Sequence, residues 1–304
     1  MLNKIKNIPI IIALQILRFF SMIPISMLNK IGDVLGIITY HILSERRKVG
    51  LLNLKLCFPE WSEKQRDTLI KEHFKELFKS GLAYGLIFFA PADKLKKIVK
   101  IEGLENFTSI NNKFPTILLA PHFLALDIGA NRLTLETPGY SVYAEQRNEY
   151  LTEAIKNARL RFIKDKGGEI FSRQEGLRTI VRKMKQTFIP FYYLPDQDMD
   201  EKNSVYVPFF AHPTCATLDT LPKLVKLTEA KVISMATYRE GNHYVVELSK
   251  AWENYDVSDT TKAVYEMNRY IEQMILKHPS QYLWLHKRFK TQPNLPRGEL
   301  YKNC

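Results

Sequence analysis

The feature that most limits what this chain can become is a change of periodicity near Val99. Asn53 to Ile87 is patterned as helix, with a start signal at Ser62 ahead of Glu63-Lys64-Gln65. From Val99 onward, short apolar runs alternate with amphipathic segments. Thr116 to Ala120 is predicted as a buried strand, as are Tyr140 to Tyr143, Glu169 to Phe171, Phe188 to Leu194, Val232 to Thr237 and His243 to Leu248. Helices are predicted over Asn148 to Lys166, Glu175 to Lys185, Leu218 to Leu227 and Thr260 to Leu276. Strands of this length between helices specify an α/β domain whose central sheet is mixed, mainly parallel, and flanked by helices. Ligands of such sheets collect beyond the carboxyl ends of strands, so chemistry is sought there.

With 304 residues, 45% of them hydrophobic, the chain can bury a substantial core. A formal charge of +12 points to an anionic partner, whether nucleic acid, anionic lipid or an acidic carrier protein. Cys57, Cys215 and Cys304 are scattered and odd in number, which argues against a disulfide framework or structural zinc site and suits a reducing compartment. Asn7 to Leu28 and Ile31 to Leu43 are strongly apolar, but Gln15, Arg18 and Pro24 interrupt the first run. A central charge and a proline make a poor spanning helix. Two readings compete with a single span: a pair of core helices, or a segment lying in the membrane with Lys4, Lys6 and Arg18 among headgroups. The basic run Arg46-Arg47-Lys48 just beyond suits an anionic leaflet. The expected organisation is a membrane anchor over residues 1–44 and a catalytic domain over 45–304.

Directly after the Thr116–Ala120 strand comes Pro121-His122-Phe123-Leu124-Ala125-Leu126-Asp127. A histidine at a strand end, with a carboxylate in the following helical turn, can be held in one tautomer while its free nitrogen takes a proton from an alcohol. Asp127 is therefore expected to orient His122. The motifs of serine hydrolases, P-loop NTPases and dinucleotide dehydrogenases (G-x-S-x-G, G-x-x-x-x-G-K-[ST] and G-x-G-x-x-G) do not occur. Direct attack by an acceptor activated by His122 is the simplest scheme left. Pro195-Asp196-Gln197-Asp198-Met199-Asp200-Glu201 resembles half a calcium loop, yet Glu201 stands where the loop needs glycine. No metal is expected; Asp198, Asp200 and Glu201 are predicted to form a solvated turn. Asp196, just past an apolar strand, is placed like an active-site residue. Among Arg147, Arg159, Arg161, Arg173 and Arg178, one or two are expected to face a ligand.

Taken in order, five blocks resemble the bacterial lipid A biosynthesis acyltransferases of lauroyl type, within the lysophospholipid acyltransferase superfamily. They are Glu45-Arg46-Arg47 with Asn53 to Pro59; His122 to Gly129, similar to the family's H-x-x-x-x-[DE] box; Pro195 to Asp198; Val207 to Phe210; and Gln281 to Thr291. The resemblance implies that His122 is the general base, Asp127 its partner, and Arg159 and Asp196 functional residues, with no cofactor. Arg159 would bind acceptor phosphate or stabilise the site. It further implies acyl–acyl carrier protein as donor and a Kdo-bearing lipid IVA precursor, an anionic glycolipid, as acceptor. The location implied is the cytoplasmic side of the bacterial inner membrane. An acyl-CoA-dependent lysophospholipid or glycolipid acyltransferase and a non-catalytic membrane-bound lipid binder are the alternatives. Nucleic acid is not an expected partner, since no recognised binding module accompanies the charge. His286-Lys287-Arg288-Phe289-Lys290 reads either as a basic surface strip or as a contact for headgroups or carrier, and Tyr282 and Trp284 as packing residues.

Overall fold

The computed structural model describes residues 2–199 and 201–304; Met1, Asp200 and the side chains of residues 2–6, Lys4 and Lys6 among them, and of Gln174 lie outside the described set. Helices α1 (Leu2–Met22) and α2 (Ile25–Ile42) meet at Pro24, whose missing N–H separates them. Then follow α3 (Ser44–Cys57), α4 (Glu63–Ala83), α5 (Gly85–Phe89) and α6 (Ala92–Ile98). The start of α4 is the expected capping box: the Gln65 N–H donates to Ser62 Oγ at 3.3 Å, and the Ser62 N–H donates to Gln65 Oε1 at 2.8 Å. Helix α2 buries Ile25 and Leu28 and is tied to α4 by Asp33 and Lys79, 2.6 Å apart. No helix among the described residues is long and apolar enough to cross a membrane.

The α/β region runs β1 (Val99–Glu102), α7 (Leu104–Thr108), β2 (Thr116–Leu119), α8 (Leu126–Leu133), β3 (Tyr140–Tyr143), α9 (Glu149–Leu160), β4 (Glu169–Ser172), α10 (Gly176–Thr187) and β5 (Phe191–Tyr193). A hairpin of β6 (Ser204–Phe209) and β7 (His212–Leu218) precedes α11 (Thr220–Thr228), β8 (Lys231–Glu240), β9 (His243–Ala251) and α12 (Thr260–Lys277). The main sheet has the order β1-β9-β8-β2-β5-β3-β4 and is parallel throughout except between β8 and β9. The mixed, mainly parallel sheet is thus as the alternating pattern required. Strand β2 lies at its centre and is buried along its whole length, which explains an uninterrupted apolar run.

One large cluster holds Phe74, Ile117, Leu119, Phe191, Val264, Ile271, Trp284 and Phe289, joining the far C-terminus to the sheet. Tyr282 and Trp284 are buried, in keeping with their predicted packing role. The three cysteines are free thiols. The β6–β7 hairpin has no counterpart among the predicted elements, because its alternating pattern is split by the turn at Phe210-Ala211.

Candidate active site

Strands β2 and β5 are parallel neighbours, with Leu119 opposite Tyr193. Both therefore leave the sheet at the same edge, and the Ala120 N–H extends the pairing to Tyr193 O at 2.8 Å. His122 follows the end of β2 and Asp196 follows the end of β5, each at the same remove, so the register itself brings them together. The His122 main-chain N–H donates to Asp196 Oδ2 at 2.8 Å, and ring Nδ1 donates to Oδ1 at 2.7 Å. A carboxylate can only accept, so Nδ1 carries the proton and Nε2 keeps its lone pair. Asp196 has no exposed side-chain surface, whereas 18% of the imidazole is open. Burial alone pushes the Asp196 carboxyl up, but electrostatic attraction to His122 and the two hydrogen bonds from it, with Arg288 behind them, hold it below the ordinary carboxylate value.

The C-terminal block supports this pair from beneath. The Leu283 N–H donates to His122 O at 3.0 Å, the Leu124 N–H donates to Gln281 O at 2.9 Å, and Phe123 bridges Tyr282. Asn53, from the first block, donates through Nδ2 to Trp284 O at 2.6 Å and His286 O at 2.7 Å. Arg288 is buried and donates to Ala216 O at 2.7 Å and Thr217 Oγ1 at 2.8 Å. Asp198 is buried too, accepting from the Thr291 N–H at 2.6 Å and Thr291 Oγ1 at 2.9 Å. The His286 ring Nε2 accepts the Asp198 N–H at 3.2 Å, and burial pushes this histidine down to about 4, so it stays neutral.

Asp127 sits in the first turn of α8 and is engaged by Arg159 and Tyr84. Its Oδ1 accepts from Arg159 Nη2 at 2.9 Å, and its Oδ2 accepts from the hydroxyl of Tyr84. Helix α9 is capped by Asn148, whose Oδ1 accepts the Leu151 N–H at 3.1 Å, and its last turn is tied to α8 by Asn131 Nδ2 donating to Ala158 O at 3.1 Å. His122, Asp127, Arg159 and Tyr84 all line one cavity of about 830 Å³, whose other walls are largely apolar: Leu118, Val142, Ile155, Ile170, Leu177 and Ile180. A recess that joins apolar walls to a histidine, a carboxylate and a guanidinium can hold an apolar ligand beside polar groups.

The profile described as "Bacterial lipid A biosynthesis acyltransferase" matches residues 3–291. The chain belongs to this family. The acyltransferase is 33% identical to the lipid A biosynthesis acyltransferase of Haemophilus influenzae, across 95% of this chain and 93% of the relative. It is 29% identical to the lipid A biosynthesis palmitoleoyltransferase of Escherichia coli K12, across 92% and 90%. With the lauroyltransferase of that organism the identity is 27%, across 93% and 91%.

Three expectations about this acyltransferase need correcting. The carboxylate on the His122 ring is Asp196; Asp127 pairs with Arg159 and Tyr84 instead. The Pro195–Glu201 segment is not a solvated turn at Asp198, which is locked under the C-terminal block, although Glu201 is exposed. The His286–Lys290 stretch is not a surface strip, because Arg288 and Phe289 are interior residues. Of the five arginines considered, Arg159 and Arg173 reach the cavity, Arg161 holds Ile87 O and Ala90 O at 2.7 Å each, and Arg147 and Arg178 are exposed.

Sequence reasoning missed Tyr84 and the packing role of Gly129. A Cβ at Gly129 would lie 2.0 Å from Thr237 Oγ1 and 2.8 Å from Thr237 Cβ, so α8 rests directly on β8. Gly129→Ala should lower stability by about 1–3 kcal/mol, the usual penalty for overpacking a tight core. Chemical denaturation checks this, and a second change, Thr237→Ala, should restore part of the loss. Unchanged unfolding midpoints would show that α8 is free to move.

Proposed function

We propose that the enzyme transfers a fatty acyl chain from acyl–acyl carrier protein to a hydroxyl of a Kdo-bearing lipid IVA precursor. His122 Nε2 draws the proton from that hydroxyl as its oxygen attacks the thioester carbonyl. The C–O bond forms, negative charge builds on the carbonyl oxygen, and collapse breaks the C–S bond to release the carrier thiol. The proton held by His122 is then available to the departing thiolate. Asp196 stays ionised and keeps the ring in the Nδ1–H form, stabilising the transient imidazolium. Arg159 offers its remaining N–H groups to negative charge on the reacting carbonyl or the acceptor.

The observation that carries this reading is the His122–Asp196 pair opening onto a largely apolar cavity. Charge supports it as well, since a +12 protein attracts an acidic carrier and a phosphorylated acceptor. The site we infer is the cytoplasmic face of the inner membrane. Of the eighteen large apolar side chains exposed among the described residues, twelve lie between Ile8 and Leu43, on α1, α2 and their junctions. We infer from this patch a membrane-contact surface, no helix among the described residues being long and apolar enough to cross a membrane.

Purified enzyme supplied separately with acyl–acyl carrier protein or acyl-CoA, and with lipid IVA bearing Kdo or lysophosphatidate, tests the assignment. Product is expected only from the carrier-bound donor and the Kdo-bearing acceptor. Turnover confined to acyl-CoA and lysophosphatidate would replace it with a lysophospholipid acyltransferase, and binding without turnover would mark a lipid-binding protein.

A further inference from the structure

Among the polar side chains that line the cavity outside the five sequence blocks, Tyr84 is one that meets the Asp127 carboxylate directly. Tyr84 is the single residue between α4 and α5, and its hydroxyl donates to Asp127 Oδ2 while Arg159 holds Oδ1. The two oxygens of one carboxylate are thus shared between a phenol and a guanidinium, both at the cavity wall. Burial first, and the Asp127 charge next, push the phenol far above its usual range, so it is a committed hydrogen-bond donor.

We propose that Tyr84 is a positioning residue for acyl transfer, fixing the Asp127 carboxylate so that Arg159 presents its free N–H groups to the substrate. A carboxylate held at one oxygen only can rotate, and the guanidinium bound to it turns with it. Held at both, it gives Arg159 one orientation, as pre-organised charge stabilisation requires. The phenol is fixed in turn by the main chain. A Cβ on the adjoining Gly85 would lie 2.1 Å from Leu17 O, so α1 lies directly against the residue that follows Tyr84. Helix α1 also reaches the other arm of the clamp: Asn148 Nδ2, at the start of α9, donates to Asn7 Oδ1 at 3.0 Å.

The proposal rests on the reading of this cavity as the acyl-transfer site, and the experiment separates the two. Full-length enzyme in detergent micelles is assayed by product formation as wild type, His122→Ala, Tyr84→Phe, Arg159→Lys and the Tyr84→Phe/Arg159→Lys double variant. The phenylalanine keeps the ring and removes only the hydroxyl. The expected result is a fall in kcat/KM for the acceptor on the order of tenfold in Tyr84→Phe, with the donor KM unchanged. In the Arg159→Lys background, where the guanidinium fork is already gone, removing the hydroxyl should change the rate less than twofold. Wild-type kcat/KM in Tyr84→Phe overturns the proposal, as does a full multiplicative loss in the double variant, which marks a structural role. Full activity in His122→Ala would instead overturn the reading of the site itself.

Discussion

His122→Ala should lower the acyl-transfer rate by at least about a hundredfold, the scale of a lost general base. The ring is partly open and its hydrogen bond runs to Asp196, so truncation leaves the sheet and the apolar face of α1 and α2 untouched. Product formation should therefore collapse while vesicle sedimentation stays near wild type, and the thermal midpoint should fall only as far as the lost hydrogen bond to buried Asp196 dictates. Retention of more than a tenth of the rate, with the protein folded, would remove His122 from the chemistry.

Asp196→Asn should be comparably severe, with kcat reduced roughly a hundred- to ten-thousandfold, because an amide can present its N–H to Nδ1 and stabilise the wrong tautomer. It would then leave the proton on Nε2, where the substrate hydroxyl must be met. The change also removes the buried negative charge that faces Arg288, so some stability is lost as well. Steady-state kinetics alongside a denaturation curve distinguishes the two effects. Asp127→Asn makes the contrast: it leaves the Nδ1 hydrogen bond in place and disturbs only Tyr84 and Arg159. If Asp127→Asn abolished activity while Asp196→Asn spared it, the local pairing read from the His122–Asp127 spacing would be right after all.

That contrast also marks where the sequence stops being readable. The strand ends carrying His122 and Asp196 were legible, because buried strands of a parallel sheet are short unbroken apolar runs. What joins them was not. Strands β2 and β5 are neighbours although β3 and β4 intervene along the chain, so the true partner of His122 is 74 positions away while a plausible one is close by. Asp198 and Arg288 were misplaced for a related reason. Charged residues in a polar run are usually solvated, but here Thr291, Ala216 and Thr217, all distant in the chain, satisfy them inside the protein. The start of α4 was predicted correctly because its signal is local, a serine and a glutamine one helical turn apart. Tyr84 carries no such local signature, and only its contact with Asp127 identifies it.

The contacts of α1 bear on how this protein can be prepared. Trimming the greasy leading segment to obtain a fragment that needs no detergent is an attractive shortcut. Here the deletion would take away the main-chain surface under Gly85 and the amide that meets Asn148. Such a fragment should fold around its sheet and still turn over poorly, even on substrates presented in free solution.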